Sequence, residues 1–130
     1  MPVTAIYAGL LTMLLLYLSV RVIGVRKSAK VEIGDGADKQ LLRRIRVHAN
    51  FVEYTPYALI LIGLLESLKA PGMMLHALGA TLLAGRVLHA YALSQTPHIL
   101  PMRVAGMALT FGVLAVAAVA CLTLGLPRPV

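Results

Sequence analysis

The chain has 130 residues, 59% of them hydrophobic and 13% charged, with a mean hydropathy of +0.85. Soluble domains carry about 25% charged residues, so this composition excludes a water-soluble globular protein and describes an integral membrane one. The net charge of +7 comes from basic residues gathered at membrane boundaries without interleaved aromatics, which excludes a nucleic-acid-binding surface.

Residues 3 to 23, VTAIYAGLLTMLLLYLSVRVI, are predicted as the first span. They are long enough for a bilayer core of about 30 Å. No basic segment precedes this stretch and no clean small-residue cleavage site follows it, so it reads as a retained span rather than a signal peptide. Arg21 near its end can snorkel to the interface, and Arg26, Lys27 and Lys30 mark the membrane boundary. In VEIGDGAD, Gly34, Asp35 and Gly36 are turn residues, and Asp38 or Asp35 caps the next helix.

The second helix is expected from Lys39 to Leu68. At about 1.5 Å per residue it would be roughly 45 Å long, more than the hydrocarbon core, so its polar first half projects beyond the membrane or lines a cavity. Pro56 is expected to kink it. Glu66 and Lys69 mark its far end, and Ala70, Pro71 and Gly72 form a tight turn. The third helix covers Met73 to Ser94, with Arg86 and His89 on one face. A short loop, Gln95 to His98, leads to a fourth span from Pro101 to Leu124. Arg103 lies in its first turn, and its Ala, Val and Gly content suits close helix packing. Cys121 sits in that apolar run as a packing residue. The lone cysteine excludes an internal disulfide, and the four scattered histidines have no metal-ligand spacing. LPRPV is a short tail.

Four spans put both termini on one side. Of the 12 Lys and Arg residues only Lys69 and Arg128 fall on that side. The rest flank the loops after helices one and three, so the positive-inside rule predicts non-cytoplasmic termini. The same topology brings several polar groups to one level. Arg43, Arg46, Asn50 and Glu53, spaced i, i+3, i+7 and i+10, fall within roughly an 80° arc of a helix turning about 100° per residue. Arg86, His89, Arg103 and either Arg21 or Arg26 lie at the same depth. Clustered arginines suit forked capture of carboxylates or phosphates, and Glu53 can pair with an arginine or receive a ligand ammonium. Two blander readings stand beside this one. The stripe could be a solvated entry helix that fixes topology, or an internal network of Glu53 with Arg46 or Arg86 plus lipid headgroup contacts.

The run R-x-x-R-x-H-x-N-x-x-E-x-x-P, written by Arg43, Arg46, His48, Asn50, Glu53 and Pro56, resembles the signature of the MAPEG family, the membrane-associated proteins in eicosanoid and glutathione metabolism. The preceding IGDG and the later AGRVLHAY are similar to its bacterial members, and the likeness covers essentially residues 1–130 as one domain. The resemblance implies an all-α, four-helix integral membrane bundle that assembles as a homotrimer in the bacterial inner membrane. It implies glutathione as the bound cofactor, held between subunits near the cytoplasmic side, and a lipophilic small-molecule substrate. By the same resemblance Arg43, Arg46, Asn50, Glu53, Arg86 and His89 bind glutathione, Glu53 holding its ammonium, and Arg103 is the catalytic arginine that stabilises the thiolate. Ala49, Leu42 and the lack of a tyrosine beside Arg103 depart from the pattern of the eicosanoid enzymes. Two functions follow as expectations: a glutathione-dependent transferase or peroxidase acting on lipophilic electrophiles, or a non-catalytic bundle that binds lipid or another anionic ligand. A small multidrug exporter would need an acid in the middle of a span, and the first helix has none.

Overall fold

The computed structural model describes residues 1–126, so Arg128 and most of the LPRPV tail lie outside the described residues. Four helices follow one another: α1 (Pro2–Ala29), α2 (Lys39–Ser67), α3 (Gly72–Ser94) and α4 (Leu100–Gly125). Helices α1, α3 and α4 are long and apolar enough to cross a membrane. The equally long α2 falls short of that apolarity because its first half carries the arginine stripe. The architecture is the expected all-α membrane bundle.

Local chemistry sets most boundaries. Pro2 opens α1, where its missing N–H is no loss. The helix runs six residues beyond the apolar stretch and ends on Lys30 in the left-handed conformation, φ 55°. The span and the helix are thus different lengths, because Arg26 and Lys27 favour helix although they do not favour lipid. Arg26 turns back from this end and donates to the Gly34 carbonyl at 2.7 Å. Gly36 has φ 57°, and a Cβ there would lie 2.6 Å from Val31 Cγ2, so both conformation and space require glycine. Of the two candidate caps it is Asp38 that caps α2, its carboxylate accepting from the Leu41 N–H at 2.8 Å. Asp35 closes the preceding turn onto Ala37 N. Pro56 is carried inside an unbroken α2 on an exposed face.

The first turn of α1 is closed from a distance. Glu66, at the far end of α2, accepts from Val3 N at 2.9 Å, Thr4 N at 2.7 Å and Thr4 Oγ1 at 2.6 Å. Helix starts leave N–H groups without intrahelical partners, and here a side chain from another helix takes two of them.

The helices make a ring in the order α1, α2, α4, α3, with α2 also touching α3, while α1 and α4 do not meet. Leu11 and Leu18, Val47, Phe51, Ala58 and Ile62, Leu75 and Leu82, and Val113 and Ala117 fill the centre. The α3–α4 pair is the most extensive, and glycine makes it so. A Cβ on Gly106 would lie 2.8 Å from the Gly85 carbonyl and 2.7 Å from His89 N. In lipid, such close approach substitutes for the hydrophobic effect as the source of helix association. Gly106→Ala is therefore expected to push the two helices apart and cost about 1–3 kcal/mol, the usual penalty of overpacking. Gly112→Ala on the same helix meets nothing within 4 Å and should be silent. Thermal unfolding of the two variants in one detergent compares them; equal midpoints would show that the crossing tolerates a methyl group.

Candidate functional site

Arg86 leaves α3 one residue after the Gly85 crossing, and this placement puts a guanidinium inside the bundle at 1% exposure. Every surrounding element contributes to it. Its Nη1 donates to Thr110 Oγ1 of α4 at 3.3 Å and contacts Met107 Sδ at 3.6 Å. Its Nη2 donates to Asn50 Oδ1 of α2 and lies 3.5 Å from His89 Nδ1. The Phe51 ring lies 6.0 Å from the guanidinium carbon. Thr110 in turn donates back to the Gly106 carbonyl at 2.9 Å, which leaves its lone pairs for the arginine. The Arg86 Nε–H is buried without a partner, and among the described residues no carboxylate pairs with Arg86. An isolated buried charge costs several kcal/mol after relaxation, so neutral acceptors alone leave this cation incompletely compensated.

Asn50 is oriented by that contact. A guanidinium can only donate, so the amide atom facing it is the oxygen. The amide nitrogen is turned away with two donors that no described residue accepts. Beside it on the stripe, Arg46 Nη2 and Glu53 Oε1 are 3.9 Å apart, each side chain about half exposed at 54% and 51%. Arg103 is half-buried in the first turn of α4, one turn before Met107, and its charge reaches His89. Its guanidinium has no hydrogen-bond or ion-pair partner among the described residues.

The predicted residues therefore separate into groups. Asn50, Arg86 and His89 are in direct contact, with Arg103 close by. Arg46 and Glu53 form an open pair one helical turn to either side of Asn50. Arg43 is engaged elsewhere, donating to the Gln95 carbonyl and clamping α2 to the loop after α3. Of the two arginines on α1, Arg21 donates to Ser94 Oγ at 2.9 Å and Arg26 to loop carbonyls, so neither joins Arg86 within the chain. The expected network thus exists as Arg46 with Glu53, and Arg86 takes no part in it. His48 has Ser19 Oγ at 3.1 Å from its Nε2. Because the serine proton is already given to Leu15 O, the histidine nitrogen is the donor there. Sequence reading missed Thr110 and Met107. Thr110 follows Arg103 by seven residues, two turns along the same face, and is a polar residue in the middle of an apolar helix; that spacing was the available signal.

Burial separates the two groups energetically. Asn50→Leu should strip the Arg86 donor of its acceptor and cost about 1–3 kcal/mol of stability. Arg46→Ala should change stability by less than about 1 kcal/mol, as exposed pairs do. Unfolding of both variants in detergent checks the contrast; a larger loss from Arg46→Ala would make the exposed pair the structural one.

The sequence model of the MAPEG family matches residues 4–123. Over 109 residues, 84% of this chain and 82% of the relative, the sequence is 38% identical to the inner membrane protein YecN of Escherichia coli strain K12. The same identity and coverage hold for YecN of Escherichia coli O6:H1 strain CFT073. With its three apolar helices of spanning length, this chain is likewise an integral inner-membrane protein. It belongs to the MAPEG family.

Proposed function

We propose that the chain is a glutathione-dependent transferase or peroxidase acting on lipophilic electrophiles, working as a homotrimer whose α2 stripe faces neighbouring subunits. The observation that carries the reading is the outward amide of Asn50, held by buried Arg86 and flanked by the half-exposed Arg46 and Glu53. This donor set fits glutathione by its chemistry. Glutathione has an ammonium, two carboxylates and a thiol. The stripe has one carboxylate, an amide with free donors and guanidinium groups. Glu53 would take the ammonium; Asn50 and Arg46 would take a carboxylate. The buried positive charge of Arg86 favours an anion at this edge of the bundle.

Glutathione when bound supplies a nucleophilic sulfur. A free thiol of pKa near 8.5 is mostly protonated at neutral pH, and a nearby cation favours the thiolate. Arg103 is the cation available for that role, since nothing else among the described residues engages it. In a transfer, the thiol proton passes to water, a bond forms from sulfur to the electrophilic carbon, and the leaving group departs with its electron pair. The membrane position of the bundle favours lipophilic substrates, which concentrate in the same phase. A non-catalytic binder remains the second reading, favoured by Ala49, which leaves no arginine directly before Asn50.

Purified protein in mild detergent is expected to bind glutathione at millimolar concentration or below and to conjugate it to chlorodinitrobenzene. Glu53→Gln should weaken binding by about 1–3 kcal/mol, the worth of a charge-assisted hydrogen bond. Arg103→Ala should lower the rate more than the affinity. Binding without conjugation selects the second reading. No binding by the wild type overturns both the transferase and the peroxidase.

A further inference from the structure

We propose that the outer face between α1 and α3 is a binding groove for one anionic phospholipid, with its phosphate at Arg21 and one acyl chain along α3. Two adjoining cavities make the groove. The first, about 550 Å³, is almost wholly apolar and is walled by Tyr7, Ala80, Leu83, Ala84 and Val87. The second, about 360 Å³, is walled by Tyr17, Arg21, Ser94 and Gln95. Val87 and Tyr91 line both, so the two spaces adjoin along α3.

The polar end is built for an anion. Arg21 is held by Ser94 Oγ at 2.9 Å through a single Nη1 bond, and the Tyr17 ring lies 5.6 Å from its guanidinium carbon. The remaining guanidinium donors have no partner among the described residues. Arg44 of α2 adds a second positive charge nearby, and the one ion pair among the described residues, Arg46 with Glu53, involves neither arginine. A planar fork with free donors and a neighbouring cation matches a phosphate.

The apolar end has the right length. From Ser94 back to Ala80 is 14 residues of α3, roughly 21 Å at about 1.5 Å per residue. One leaflet of the hydrocarbon core is about 15 Å deep, so a chain anchored at Arg21 stays in contact with the groove through its whole leaflet. The small side chains of Ala80 and Ala84 leave the room, and Tyr7, fixed by His76 at 3.1 Å, closes the far end. The groove lies across the bundle from the edge shared by α2 and α4, and it neither uses nor depends on the glutathione reading.

Native mass spectrometry of the detergent-purified protein with added phosphatidylglycerol or phosphatidylcholine tests it. One phosphatidylglycerol per chain is expected to survive detergent removal, and phosphatidylcholine should be retained several-fold less. Arg21→Ala should reduce phosphatidylglycerol retention about tenfold, the effect of losing one charge-assisted contact, and Arg21→Lys should restore part of it. Ala84→Trp, which fills the apolar end without touching the charge, should also expel the lipid. Arg26→Ala, whose arginine is committed to loop carbonyls, should not. Circular dichroism confirms that each variant is helical. Equal retention by wild type, Arg21→Ala and Ala84→Trp would overturn the proposal. So would an Ala84→Trp variant that keeps its lipid but loses subunits, since the groove would then be covered by a second copy of the chain.

Discussion

A guanidinium buried where α2, α3 and α4 meet has to be supplied with acceptors from inside, and the bundle is arranged to supply them. Arg86 receives an amide oxygen from α2, a hydroxyl from α4, a histidine from its own helix and the face of a phenyl ring. None of these carries a negative charge. The site therefore keeps a positive potential that neutral dipoles soften without cancelling. An enclosed salt bridge would have spent the charge internally. The placement of the carboxylate of Glu53 outside the bundle, on Arg46, leaves the interior cation to act on whatever approaches Asn50.

That arrangement depends on how near α3 and α4 come to each other. Gly85 and Gly106 remove the side chains at the crossing, so the Arg86 head reaches Thr110 and Met107 directly. Wider spacing would leave room for water beside the guanidinium and would loosen the hold on Asn50. The packing and the electrostatics are one device here: the contact that joins the helices also fixes the polar groups, and neither can be altered alone.

Periodicity made the helices legible. The ends of α2, α3 and α4 fall within one residue of their expected positions, because caps, prolines and glycines write those ends locally. The end of α1 was harder, since hydropathy reports the span while helix propensity continues through Arg26 and Lys27. The stripe from Arg43 to Glu53 was legible as a stripe, but the destinations of its side chains were not. Arg43 reaches a loop carbonyl 52 residues away, and no sequence pattern announces a backbone acceptor. In the sequence Glu66 only marks the end of α2, for the same reason: its partners include backbone N–H groups of another helix.

That last contact has a consequence for the order of assembly. Chains are made from the N-terminus, so α1 is complete while Glu66 is still 37 residues from being added. Through that interval the Val3 and Thr4 amides have no protein acceptor and must stay hydrated or bonded to headgroups. The first helix can enter the bilayer alone, but its leading turn is sealed only when the second helix has crossed back to meet it. Maturation of the earliest segment thus waits on a later one, and the hairpin of α1 and α2, rather than either helix, is the smallest piece of this protein that can be finished.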